Sequence, residues 1–214
     1  MIKAIIFDIG GVLVRTHDHS PRREWERRLH LAERESEKIV FGGEMGTKAQ
    51  AGAITDEALW EWIRGHLALD EEGLNSFRNA FWAGDRLDED LVALIGRLGE
   101  QYQTAVISNA TDALRATLSG KYPIADTFDL IVCSAEEKVM KPETEIYQRT
   151  LERLGRTPQE AVFIDDNAEN IAAARAMGIH VIHYREGMDV AAALQKLGVQ
   201  LNQVEERTPQ EKKS

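Results

Sequence analysis

Residues 161–178 read AVFIDDNAENIAAARAMG. Four apolar residues, Ala161–Ile164, lead into two acids and then into an alanine-rich stretch, Ala168–Met177, that stops at Gly178. The first run has the length and composition of a buried strand and the second that of a helix, and a glycine just past a helix suits a left-handed terminating residue. Another apolar run, Ile179–His183, follows at once. Strand, helix and strand in close succession, without polar alternation in the strands, is the pattern of a parallel sheet covered by helices on both faces.

The same pattern extends in both directions. Lys3–Phe7, Thr104–Ile107 and Leu130–Cys133 are further apolar runs, and Glu143–Leu154 puts Ile146, Thr150, Leu151 and Leu154 on one helical face before Gly155. The expected fold is therefore an α/β one, a doubly wound parallel sheet of Rossmann-like type. Phe7 and Thr104 are much further apart than the roughly 30 residues of a βαβ unit, so something is inserted between the first two strands. Arg22–Ile39, Thr55–Leu67 and Glu71–Ala83 have helical spacing, with Trp60, Ile63 and Leu67 on one face and Leu74, Phe77 and Phe81 on another. The expectation is a core domain of residues 1–15 and 87–199, a helical cap domain of residues 16–86, and a polar, aperiodic tail of residues 200–214. The aromatics Trp25, Trp60, Trp62, Phe77, Phe81 and Trp82 read as the core of that cap, with one or two free to face a ligand.

Composition narrows the partners. A net charge of −10 over 214 residues argues against a nucleic-acid partner, which normally needs a clustered basic surface. No apolar run approaches the roughly 20 residues of a membrane span, and Met1–Phe7 reads as a strand and not as a signal peptide. The single cysteine, Cys133, sits in an apolar run and reads as a packing residue of a protein in a reducing compartment, so the expected location is the cytoplasm. In so acidic a chain, a phosphorylated ligand requires a local cation.

Four motifs carry chemistry. Asp8, in Phe7-Asp8-Ile9-Gly10-Gly11, stands at the carboxyl end of the first strand, where open α/β sheets bind ligands, and its glycines allow a sharp turn or a close approach. Ser108-Asn109 follows the second strand, where a hydroxyl and a backbone N–H can hold a phosphoryl oxygen, and helix capping is the plainer reading of the same pair. Lys141-Pro142 presents a lysine from a defined backbone at a helix start, whereas Lys138 has the context of a solvated surface lysine. Asp165 and Asp166, at the end of the Ala161–Ile164 strand, repel each other and need a nearby cation, for which Mg²⁺ is the natural choice.

In this order and strand context, Asp8, Ser108, Lys141-Pro142 and Asp165-Asp166 with Asn170 resemble the haloacid dehalogenase superfamily over the whole chain except the tail. The form of the motifs looks like the branch containing glucose-1-phosphate phosphatases and the N-terminal phosphatase domain of soluble epoxide hydrolases. The resemblance implies a phosphatase that acts on a small phosphorylated metabolite such as a sugar phosphate, with Asp8 as covalent nucleophile. Ser108, Asn109 and Lys141 would bind the substrate, and Mg²⁺ would be held by Asp8, the Gly10 carbonyl and Asp166, with Asp165 close by or acting through water. The helical insert is similar to the family's mobile cap.

One position departs from that pattern. Phosphatases of the superfamily usually carry a general acid–base aspartate two residues after the nucleophile, and here that residue is Gly10. General acid–base help is worth about 10²–10⁴-fold, so nucleophilic and electrostatic terms remain. His17, Asp18 and His19 are the substitutes nearest in sequence. The alternatives on this fold are a haloacid dehalogenase, which would not favour two adjacent acids; a phosphonate hydrolase, which needs a cap lysine that neither Lys38 nor Lys48 supplies in a recognisable context; and a non-enzymatic binding protein.

Overall fold

The computed structural model describes residues 1–201, and the part of the tail reading that falls on residues 202–214 lies outside them. The chain begins with strand β1 (Ala4–Phe7) and a short strand β2 (Val14–Thr16). It then forms five helices in a row: α1 (Ser20–Arg28), α2 (Glu35–Phe41), α3 (Gly43–Gln50), α4 (Asp56–His66) and α5 (Glu71–Ala83). Strand β3 (Asp85–Leu87) returns to pair antiparallel with β2, so the inserted helices leave and rejoin the sheet domain through one two-stranded ribbon. The rest alternates: α6 (Glu89–Leu98), β4 (Gln103–Ser108), α7 (Leu114–Ser119), β5 (Leu130–Cys133), α8 (Ser134–Glu137), α9 (Thr144–Leu154), β6 (Ala161–Asp165), α10 (Ala168–Ala176), β7 (His180–His183) and α11 (Val190–Lys196).

The five long-range strands form one parallel sheet in the order β5-β4-β1-β6-β7. Successive residues of each central strand enter different cores, because side chains alternate across a pleated strand. Ile5, Phe7, Val106, Val162 and Ile164 pack on one face, and Ala4, Ile6, Ala105, Ile107 and Phe163 on the other. This double burial is why the strands show no polar alternation. The chain runs from β1 outward through β4 to β5 and then comes back to place β6 on the other side of β1, so the order reverses between β1 and β6. Ligands of such sheets bind at the carboxyl ends of the strands beside that reversal.

The expected helix over Arg22–Ile39 is two helices. His30 and Arg34, both with left-handed backbone, break it at φ 55° and 61°. The buried Glu26 carboxylate explains the fold-back: it accepts hydrogen bonds from the Ser36 backbone N–H at 3.2 Å and the Ser36 hydroxyl at 2.5 Å. Ten residues along a straight helix would separate the two by about 15 Å. Thr55 and Asp70 cap α4 and α5 by accepting from Ala58 and Gly73 N–H. Val40, Leu59, Trp60, Ile63, Phe77 and Phe81 make a third apolar core within the helical insert. At the far end of the chain, Gly155 and Gly178 adopt φ 65° and 88° after α9 and α10, as their place in the sequence suggested. Helix α6 went unread although Leu91, Leu94, Ile95 and Leu98 have its spacing; β2 and β3, three residues each, are too short to show a period.

Candidate active site

The β1–β6 register brings the acids together. Phe7 pairs with Ile164, and the Asp8 N–H donates to Ile164 O at 2.9 Å, so Asp8 lies beside Asp165 at the carboxyl edge of the sheet. Ser108 ends the neighbouring strand β4 and is buried, while Lys141 enters from the turn that Glu143 N–H closes on Met140 O before α9. A cavity of about 930 Å³ opens over this edge, and Asp8, Gly10, Ser108, Asn109, Lys141 and Asp166 all line it. The residues singled out in four separate motifs thus meet at one place.

Lys141 is the electrostatic centre. Its Nζ lies 2.8 Å from Asp8 Oδ1 and 2.7 Å from Asp165 Oδ2, with the lysine side chain 1% exposed. The Ile9 N–H also donates to Asp8 Oδ1, at 2.7 Å. Asp8 Oδ2 makes no hydrogen bond among the described residues. Burial, reinforced by the charge of Asp165 and opposed by Lys141, pushes the Asp8 carboxyl up to about 7. Burial and then Asp165 also raise Asp166. Carboxylates raised first by burial and then by one another's charge mark a site short of groups that solvate negative charge.

That shortage tests the site for a metal ion. One oxygen from each of Asp8, Asp165 and Asp166 lies within 4.8 Å of the others, three acids against the single Lys141 ammonium. A cluster of hard oxygen donors with uncompensated charge fits Mg²⁺. The pair at the end of β6 divides, however. Asp165 is 0% exposed, and its oxygens accept from the Asn167 N–H at 2.7 Å and Asn170 Nδ2 at 3.0 and 3.2 Å besides Lys141. A carboxylate with no access to water must be solvated by the protein, so Asp165, expected next to the metal, faces Lys141 and the two asparagines. Asp166 is exposed towards the cavity, with its carbonyl 2.9 Å from His183 Nε2.

The two glycines of the first motif differ. Gly11 has φ 78°, and a β-carbon there would fall 2.2 Å from Asp166 Oδ2. At Gly10 a β-carbon would meet no atom within 4 Å. The close approach that glycine allows is therefore to Asp166 at Gly11, while Gly10 faces open space. Asn109, expected to bind substrate, has its amide committed to the Lys141 backbone at both ends.

Of the substitutes for the missing acid, His19 lines the cavity, 3.3 Å from Glu37, whereas His17 and Asp18 do not line it. Lys38 and Lys48 are exposed and away from it. Lys138 is exposed but not free, because its Nζ donates to Gly52 O in the helical insert. Cys133 is fully buried, and burial raises its thiol. Sequence reasoning missed Arg15, Tyr184, Arg185 and most of the insert's contribution to the wall. Their positions depend on how separate elements dock, and no local motif announces them.

A model of the haloacid dehalogenase-like hydrolase family matches residues 2–178. Sesquiterpene phosphatase astK of Aspergillus oryzae is 35% identical over 196 residues, covering 91% of this chain and 96% of that protein. An (S)-2-haloacid dehalogenase of Xanthobacter autotrophicus is 27% identical over 192 residues, covering 85% and 74%. Acyl-CoA dehydrogenase family member 10 of Mus musculus is 28% identical over 191 residues, and there the alignment spans 18% of the longer protein. Among solved structures, the family enzyme bt-2542 of Bacteroides thetaiotaomicron, in complex with magnesium and inorganic phosphate, has a TM-score of 0.76 at 24% identity, covering 90% of this chain and 99% of that one. At that identity the likeness is one of fold. Among the described residues, no helix is long and apolar enough to cross a membrane.

Proposed function

This chain belongs to the haloacid dehalogenase-like hydrolases, and we propose that it is a magnesium-dependent phosphatase that cleaves a phosphomonoester through a phosphoryl intermediate on Asp8. One observation carries the reading: three acids cluster beside one buried lysine under a cavity that Asp8, Asp166 and Lys141 line, with Asp8 and Asp166 held above their ordinary range. A phosphoryl group would add negative charge there, and a divalent cation held by Asp8, the Gly10 carbonyl and Asp166 would offset it and polarise the phosphorus.

The chain's own groups do the rest. Lys141 and Ile9 N–H fix Asp8 Oδ1, which leaves Oδ2 to attack phosphorus in line. The bond from Oδ2 to phosphorus forms as the ester oxygen departs. That oxygen takes its proton from solvent, since Gly10 offers none. Water then attacks phosphorus, the Oδ2 bond breaks, and inorganic phosphate leaves. Ser108 and Lys141 hold the transferred oxygens, Asn109 positions Lys141, and Asp165 anchors the same lysine from behind. Helices α1–α5 act as a cap over the site, in keeping with their attachment through the β2–β3 ribbon.

One relative that matches over nearly its full length, at 35% identity, is named a phosphatase, and the neighbouring structure holds magnesium and phosphate, which supports this reading; a relative named a haloacid dehalogenase matches as completely at 24% identity. Another relative is named a haloacid dehalogenase, but the clustering of Asp8 and Asp166 beside the buried Asp165 favours a metal-assisted reaction. The deciding experiment measures phosphate release from p-nitrophenyl phosphate and a panel of phosphomonoesters with and without Mg²⁺, beside halide release from 2-haloacids. Hydrolysis that chelation abolishes is the expected result. Faster halide release, or turnover indifferent to chelation, would overturn the assignment.

A further inference from the structure

Beyond the phosphoryl site the cavity runs between the sheet domain and the helical insert, and its wall there is aromatic. Phe41 packs against Trp82 with ring centres 5.6 Å apart. Lys121 Nζ lies 5.8 Å from the centre of Trp82 and 4.9 Å from that of Tyr122. All four residues line the cavity, joined by Leu114 from α7. One continuous surface therefore crosses from the insert to the core. Phe41 is 45% exposed and, with Met1, is one of the two large hydrophobic side chains exposed among the described residues. An aromatic left uncovered at a cavity mouth is a place for a ligand to cover.

The guanidinium ends of the arginines around the same space are already engaged. The two buried side-chain polar atoms of the lining without a partner among the described residues, Arg15 Nε and the Tyr122 hydroxyl, are out of a ligand's reach. Arg22 donates to Phe81 O and pairs with Asp85 and Glu37; Arg15 bonds Asp88 and Tyr184; Arg78 pairs with Asp56. A polyhydroxylated leaving group needs donors and acceptors that are free to reach it, because unpaired polar groups in a closed site are costly. The volume of about 930 Å³ is also near the top of the roughly 300–1,000 Å³ range of small-molecule sites, far more than a phosphoryl group fills.

We infer, on the phosphatase reading above, that the leaving group is an extended apolar alcohol lying against Phe41, Trp82 and Tyr122, and that sugar phosphates are poor substrates. n-Alkyl phosphates from butyl to decyl test this, kept below their aggregation threshold, because their leaving groups share one acidity while their apolar length grows. Each methylene taken into the cavity is expected to raise kcat/KM by about four-fold until the wall is covered. Phe41→Ser, at an exposed position, should lower the decyl-to-butyl ratio measured within that variant. Decanol added to metal-free protein should change tryptophan fluorescence saturably, and less so in Trp82→Phe. A flat chain-length series, or glucose 1-phosphate preferred to decyl phosphate, would overturn the inference while p-nitrophenyl phosphate hydrolysis leaves the phosphatase reading standing. Failure to hydrolyse p-nitrophenyl phosphate as well as every alkyl ester would remove both.

Discussion

Asn109 and Lys141 hold each other by a reciprocal pair of hydrogen bonds. Asn109 Nδ2 donates to Lys141 O and the Lys141 N–H donates to Asn109 Oδ1, each at 2.8 Å. A residue at the end of β4 thereby fixes the backbone from which the Lys141 ammonium reaches Asp8. Asn109→Ala should lower kcat about 10- to 100-fold with a folded circular dichroism spectrum, since displacement of a catalytic group by about 1 Å can cost 10²-fold. Asn109→Asp, which keeps the acceptor and loses the donor, should fall between. Unchanged turnover in both would mean that the turn before α9 holds Lys141 unaided.

Lys141→Ala and Asp166→Ala should each reduce turnover by at least about 10²-fold. Lys138→Ala and Asp18→Ala should reduce it much less, because Lys138 bonds only a carbonyl of the helical insert and Asp18 stays away from the cavity. Equal losses across the four would show that the reaction takes place elsewhere.

Asp8→Asn should abolish turnover and also change how stability depends on pH. In the folded chain Asp8 titrates near 7, against 3.8 when unfolded, so between those values the folded state binds the extra proton. The stability from this group is present below 3.8 and is lost as pH rises through 7, since stability falls with pH wherever the native state holds more protons. With a chelator present, the melting temperature of the wild type should therefore drop more between pH 5 and pH 8 than that of Asp8→Asn. At pH 8, Mg²⁺ should raise the wild-type value more. Parallel pH curves for the two proteins would contradict the assigned environment of Asp8.

The adjacent glycines should respond unequally to the same small change. Gly11→Ala forces a β-carbon to within 2.2 Å of Asp166 Oδ2 at a positive φ, so a loss of about 1–3 kcal/mol and weaker Mg²⁺ binding are expected. Gly10→Ala should leave the melting temperature within about a degree. Calorimetry with and without Mg²⁺ measures both, and a stable, metal-binding Gly11→Ala would refute the close approach.

Gly10→Asp places a carboxyl in space that is already open, beside the nucleophile. On the proposed mechanism the leaving oxygen departs without a protein proton, so among small esters log kcat/KM should fall steeply as the leaving-group pKa rises, with aryl and sugar 1-phosphates ahead of glycerol phosphate. The substitution should flatten that line by accelerating the poorest leaving groups, up to about 10²-fold. A native line already flat, with chemistry rate-limiting, would mean that another group donates the proton; His19, which lines the cavity, is then the first to replace.

The parallel sheet and the meeting of four motifs were legible in the sequence because both rest on local signals. Apolar runs such as Ala161–Ile164 reflect burial on two faces, and three of the motifs follow strands whose carboxyl ends point to the same edge, while Lys141 enters from the turn before α9. The ends of α9 and α10 were legible for the same reason, at Gly155 and Gly178. What is set by contacts distant in sequence was not. The break between α1 and α2 depends on Glu26 reaching Ser36, and nothing in the period of residues 22–39 reveals that bond.

By itself, then, the sequence determined that acids, a lysine and a serine gather at the end of a parallel sheet. Only the tertiary structure decided how they divide the work. Burial left the Asp165 carboxylate to Lys141, Asn167 and Asn170 among the described residues, while its neighbour Asp166 faces the cavity, and the Asn109 amide went to the Lys141 backbone. Two adjacent aspartates look alike in a string of letters. They differ once packing denies water to one of them, because a carboxylate without water must be solvated by whatever donors the fold brings within reach.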